Sequence, residues 1–147
     1  MRKLTTILCL TLAVLLGSAG EGWSADLQKG WDAYKNKDYA TALREWKPLA
    51  EQGNADAQNN LGVIYNNGWG VLLDFVRAHM WFNIAASSGH ENITENVSVR
   101  RMGGVFIGFN KNAVTNRDIV AKRMNTSQIE TAQDLARECV KKNYKGC

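Results

Sequence analysis

Histidine and cysteine are scarce in this chain, and with them most metal chemistry. His79 and His90 are the only histidines, and Cys9, Cys139 and Cys147 the only cysteines. Cys139 and Cys147 stand eight residues apart with both histidines far away, which fits no zinc-ligand spacing, so neither a metal nor another cofactor is expected. Catalytic signatures are missing as well. No Ser-x-x-Lys occurs, which removes one arrangement for a serine nucleophile. His90-Glu91 lacks the second histidine of a zinc-protease helix. Gly68-Trp69-Gly70 is followed by no Gly-Lys-Ser/Thr and joins two predicted helices, so it is not a phosphate loop. No catalytic residue is assigned.

Long apolar runs are also lacking, except at the N-terminus. Met1-Arg2-Lys3 precedes an apolar stretch from Leu4 to Leu16, and small residues follow at Gly17, Ser18, Ala19 and Gly20. A basic head, a short apolar core and small residues are the layout of a signal peptide, assigned to residues 1–25. Cleavage fits after Ala19, Ser24 or Ala25, and Cys9 lies inside the run rather than at its end, which argues against a lipoprotein. The run is shorter than the roughly 20 apolar residues of a membrane span, so no stable insertion is expected after cleavage. The protein is therefore expected to be exported, to the periplasm or beyond.

Cleavage changes the counts. Without Arg2, Lys3 and Glu21, the 18 basic and 14 acidic side chains become 16 and 13, so the excess of positive charge is small and nucleic acid is not implied. Without Cys9 an even pair remains. In an exported chain, Cys139 and Cys147 then suggest one disulfide closing a short C-terminal loop; the alternative is two free thiols.

What the sequence does contain is one helix written twice. Residues 38–53 recur at 74–89, offset by 36 throughout: Asp38/Asp74, Ala42/Ala78, Ala50/Ala86 and Gly53/Gly89 are identical, and Tyr39/Phe75 and Trp46/Phe82 keep an aromatic. A fixed period of this length marks a helical repeat array. Each shared position has a physical role. Asp caps the helix start, where backbone N–H groups lack partners. Tyr39, Ala42, Trp46, Leu49 and Ala50 recur at helical spacing and make one apolar face. Gly53 and Gly89 can adopt the left-handed conformation that ends a helix. Pro48 has no equivalent in the second copy, where Ile84 stands, and predicts a kink.

The residues between the copies resemble a known family. Ala55-Asp56-Ala57-Gln58-Asn59-Asn60-Leu61-Gly62-Val63-Ile64-Tyr65, then Gly68-Trp69-Gly70-Val71-Leu72-Leu73-Asp74, then Ala78 and Trp81-Phe82, is similar to the Sel-one-like repeat, a 36-residue relative of the tetratricopeptide repeat. The departure is Leu72, where proline is usual. The resemblance implies an all-α fold of helical hairpins and a role in binding proteins or peptides. It also carries an alternative, because some cysteine-rich relatives are linked to binding or hydrolysis of β-lactams.

Taken in order, residues 26–36 with 38–52 and 54–67 with 74–88 form two antiparallel helix pairs, the repeats spanning 26–90, and neither pair buries its apolar face without the other. After Gly89 the repeat decays. Gly103-Gly104-Val105-Phe106-Ile107-Gly108-Phe109 is not helical in composition and predicts a short strand or partly buried loop. Residues 112–124 and a last helix carrying Ile129, Ala132, Leu135, Ala136, Cys139 and Val140 resemble the tail of exported bacterial Sel-one-like proteins. Asn125 with Gln128, or Ser127 with Glu130, supplies the cap of that helix. Removing Ile93 to Asn112 would rejoin that order, so 91–112 is read as an inserted irregular segment and 113–147 as a C-terminal helical cap with a disulfide.

In stacked hairpins the first helix of each pair lines the concave side. Tyr34 and Tyr65, each near the end of a first helix, set the register. On that register Gln28, Asp32 and Lys35 stand where Asn59, Val63 and Asn66 stand, and all six are expected to point into a mostly polar groove that takes a protein or peptide segment. The expected function is a non-catalytic interaction module of the envelope or secreted space.

Overall fold

The computed structural model describes residues 25–88, 100–102, 105–107 and 111–147. The expected signal segment apart from Ala25, the helix-ending Gly89, and residues 91–99, 103–104 and 108–110 of the expected insertion lie outside these residues. Six helices carry the architecture: α1 (Leu27–Lys35), α2 (Tyr39–Ala50), α3 (Ala55–Asn67), α4 (Phe75–Ser88), α5 (Lys111–Ala121) and α6 (Thr126–Lys141). Two three-residue strands, β1 (Arg100–Met102) and β2 (Val105–Ile107), pair antiparallel with Arg101 opposite Phe106. The predicted non-helical stretch thus contains a strand of a small hairpin, and the regular structure of the described residues is otherwise all-α.

The caps expected at Asp38 and Asp74 are formed, and Asp26 and Asn54 cap their helices in the same way. Asp26 accepts from the N–H groups of Gln28 and Lys29, Asp38 from Thr41, Asn54 from Ala57 and Asp74 from Arg77, at 2.8–3.2 Å. At α6 the cap is Asn125, whose side chain accepts from Gln128 N–H at 2.9 Å while Gln128 accepts from Asn125 N–H at 3.0 Å. Each such cap contributes about 1 kcal/mol by satisfying a donor that the helix leaves unpaired. Gly53 ends the first repeat at φ +87°, as expected, and Gly68 ends α3 in the left-handed region at φ +66°. Pro48 lies inside α2 without ending it: Glu51 N–H donates to Lys47 O at 3.0 Å, so the ladder resumes at once.

The helices stack in chain order. α1 packs on α2, α2 on α3 and α3 on α4; α4 then receives both α5 and α6. The core is an aromatic column along this stack, with Trp46, Trp81 and Phe82 almost fully buried among Leu61, Ile64 and Ile84. In the first pair, Trp31 meets Tyr34 and Trp46 edge-on at 5.6 Å, and Trp46 Nε1 donates to Leu27 O at 3.2 Å. The loop of the second pair enters this cluster: the Trp69 ring stacks on Tyr39 at 5.3 Å and 7° and also meets Tyr34. Glu45, 4% exposed, ties the pair together, with Lys29 Nζ 3.0 Å from its Oε1 and Asp26 N–H donating to Oε2 at 3.3 Å. The Lys29 ammonium, aided by that N–H, holds the Glu45 carboxyl below the usual range against the opposing effect of burial.

The C-terminal helices differ in detail from the sequence reading. On α6, Ala132, Ala136 and Cys139 are buried, but Leu135 and Val140 are 42% and 46% exposed. The tail turns back from α6, Tyr144 N–H donating to Cys139 O at 2.9 Å, and brings Cys147 Sγ within 2.02 Å of Cys139 Sγ. Tyr144 reaches the α2–α3 turn, its ring beside Gly53.

The stack depends on two glycines. A Cβ on Gly30 would lie 2.2 Å from Trp46 Nε1, and one on Gly62 would lie 2.5 Å from Phe82 Cε1. Alanine at Gly62 would gain up to about 1 kcal/mol in helix propensity, but overpacking costs about 1–3 kcal/mol, and both atoms here are held in a close-packed interior. Gly62→Ala is therefore expected to lower stability in urea unfolding by about 1–2 kcal/mol, and Phe82→Leu in the same chain to recover part of the loss. A single variant as stable as the parent would show that the α3–α4 contact is loose.

Candidate functional site: the first-helix face

The glycine contacts decide which residues of the first helices correspond. Trp46 over Gly30 and Phe82 over Gly62 are the same contact made twice. The aromatics are 36 residues apart and the glycines 32; the difference of four is the extra length of the second loop, 68–74 against 36–38. Aligned on this contact, Tyr34 stands on Asn66, not on Tyr65. The register taken from the two tyrosines is therefore one residue out, because a tyrosine near a helix end can be accommodated at either of two adjacent positions. Leu27, Trp31 and Tyr34 are the first-repeat counterparts of Asn59, Val63 and Asn66.

The six expected groove residues accordingly do not converge. Gln28, Asp32 and Lys35 are exposed on the outer face of α1 and bond to one another: Gln28 Nε2 and Lys35 Nζ both donate to Asp32 Oδ1, at 3.1 and 2.8 Å. The Lys35 ammonium holds the Asp32 carboxyl below its usual range. Asn59, Val63 and Asn66 are 0%, 1% and 2% exposed. The expectation that they line an open groove is corrected. The physical reason is α5, which takes the first-helix place of a third unit: it packs on α4, and its Asn116, also 0% exposed, donates Nδ2–H to Asn59 Oδ1 at 3.1 Å. The backbone of β2 also runs beside α3 and α5. The C-terminal segment therefore continues the stack instead of only closing it. The signal that could have found this was the polar stripe Asn112, Asn116 on α5, complementary to Asn59 on α3.

Further buried polar groups lie on α3 and α4. Gln58 Nε2 donates to Ala50 O at 3.1 Å, which links α3 to the end of α2. The carboxamides of Asn60 and Asn66 and Nδ1 of His79 have no hydrogen-bond partner among the described residues. His79 on α4 is 3% exposed; burial pushes its imidazole below the usual range, Arg117 on α5 adds to the shift and Asp118 opposes it. None of these residues forms a nucleophile–base pair with another. Among the described residues no group of three or more His, Cys, Asp or Glu could hold a metal ion, and no helix is long and apolar enough to cross a membrane.

Two outcomes follow from this burial. Leucine at Asn59 should lower stability by about 1–3 kcal/mol, because it removes the buried acceptor of the Asn116 amide, whereas leucine at Asn66 removes an amide with no partner among the described residues and should be neutral or stabilising. Equal losses at both sites in chemical denaturation would show Asn66 to be bonded. A neutral His79 buried in the folded state takes up its proton more readily when unfolded, so stability is full above the unfolded value near 6.5 and falls as pH drops below it. His79→Gln should flatten the melting temperature between pH 7 and pH 5; an unaltered slope would place the titration elsewhere.

Comparison with known proteins supports the architecture. The Sel1 repeat pattern matches residues 55–90, the span that holds α3, the 68–74 loop and α4. No solved structure matches the chain. Sel1 repeats generally mediate protein–protein interaction. Glycine under an aromatic, Asp at the start of the second helix and a left-handed Gly68 before the loop are how residues 55–90 build that unit here, and this span of the chain is a Sel1-like repeat.

Proposed function

We propose that the protein is a non-catalytic interaction module that works outside the cytoplasm, exported by residues 1–25 and held at its C-terminus by an oxidised Cys139–Cys147 pair. The observation that carries the binding role is the outer face of α1. Gln28, Asp32 and Lys35 form an exposed, mutually bonded polar patch, and the partly exposed Trp31 lies beside them on the same helix. A tryptophan fixed by Tyr34 and Trp46 and ringed by polar groups is the composition of an interface hot spot, because its apolar area is offered without loss of side-chain freedom. Since Asn59, Val63 and Asn66 are covered, α1 is the first helix whose face is open to a protein or peptide segment.

The layout of residues 1–25, and the even pair of cysteines that remains once Cys9 is removed, support export to an oxidising compartment. Envelope crosslinking followed by affinity capture tests the reading. Replacing Gln28, Asp32 and Lys35 together by alanine should reduce capture of the partner several-fold with a near-unchanged melting temperature, because all three are exposed. Undiminished capture moves the site off α1. Turnover of a chromogenic β-lactam by the purified protein would sink the non-catalytic reading, and an uncleaved chain retained in the cytoplasm would sink export.

A further inference from the structure

A cleft of about 200 Å³ opens between the start of α4 and the end of α6, and the Cys139–Cys147 pair lies in its wall. Met80 and Leu135 line it, with Arg77, Glu138 and Lys142 among the remaining walls. The two sulfurs are not equivalent: Cys139 is 2% exposed, whereas Cys147 is partly exposed. The charges are not balanced either. Glu138 is held by Lys141 at 2.7 Å, and Arg77 has Asp74 only at 3.6 Å. Lys142 makes no ion pair among the described residues. The cleft therefore offers two basic side chains, Arg77 and Lys142, beside Glu138, and one reachable sulfur of a disulfide.

We propose that this cleft is a thiol-exchange site, at which a small anionic thiol attacks Cys147 Sγ and expels Cys139 as the leaving thiolate. The proposal rests on the oxidised pair inferred above. In the step, the incoming thiolate sulfur bonds to Cys147 Sγ as the Cys139–Cys147 bond breaks. The electron pair leaves on Cys139 Sγ, which then takes a proton from solvent. The incoming thiol is oxidised to a mixed disulfide and Cys139 is reduced, so no further oxidant or reductant is needed. Arg77 and Lys142 favour both the arriving anion and the departing thiolate, since positive charge stabilises a thiolate. The tail favours opening: Asn143 and Tyr144 are consecutive non-glycine residues in the left-handed region, at φ 50° and 64°. Once Cys147 is released, both can leave that region and the Tyr144 ring can leave Gly53.

The experiment uses the folded, exported protein purified without reductant. Alkylation before any thiol is added reports the starting state: two labelled cysteines at 139 and 147 would overturn the oxidised pair itself, and this site with it. With the pair oxidised, reduced glutathione is added, the reaction is quenched with an alkylating agent, and the peptides are mapped by mass. The expected product carries glutathione on Cys147 and the label on Cys139; glutathione on Cys139, or on both equally, overturns the assignment. Lys142→Glu should slow the reaction with glutathione roughly tenfold and speed that with cationic cysteamine, as expected for reversing a charge in the wall of the same cleft. Equal effects on the two thiols, or none, would show that the cleft's charge does not guide the thiol.

Discussion

One contact holds the architecture together: an aromatic ring from the second helix of each pair lying directly on a glycine of the first. Trp46 on Gly30 and Phe82 on Gly62 let two helix backbones approach within the thickness of a ring. That closeness goes with the full burial of the alanines at 42, 50, 78 and 85. The same contact fixes rotation as well as distance, since a ring can rest on only one position of the facing helix. Which residues face outward is settled by it.

Much of the fold was legible because its determinants are local or periodic. Asp38 and Asp74 announce helix starts by their side-chain chemistry, and the 36-residue period announces stacking; both are read without knowing any contact. The first-helix face was legible only in part. Its register turned on whether Tyr34 answers Tyr65 or Asn66, and two aromatic residues near a helix end do not decide that, whereas Gly30 and Gly62 do. The burial of Asn59, Val63 and Asn66 was out of reach for another reason. It depends on α5, which is brought beside α3 from more than 50 residues away, and no local pattern in α3 reports such a neighbour.

The buried amides show what that arrangement costs. Leaving a polar group without a partner in the interior costs about 1–3 kcal/mol, a sizeable part of the few kcal/mol by which a domain this size is stable. Asn59 and Asn116 avoid the penalty by bonding to each other, while Asn60 and Asn66 do not. The face that in an open array would meet solvent or ligand has here become an internal joint. Polar residues suited to an exposed surface remain at it, and among the first helices of the two pairs it is α1 whose polar face stays exposed.

Trp69 belongs to the second repeat but stacks within the first, against Tyr39 and Tyr34. Repeat arrays are usually treated as chains of units, each with its own stability plus a term for each junction. Where one unit's loop completes its neighbour's core, those two terms are no longer separable. The first pair cannot fray while the loop of the second stays folded, and the loop cannot loosen without exposing the aromatic cluster beneath it. Heat and denaturant therefore meet the array as a single cooperative unit, not as a row of hairpins that open from the end.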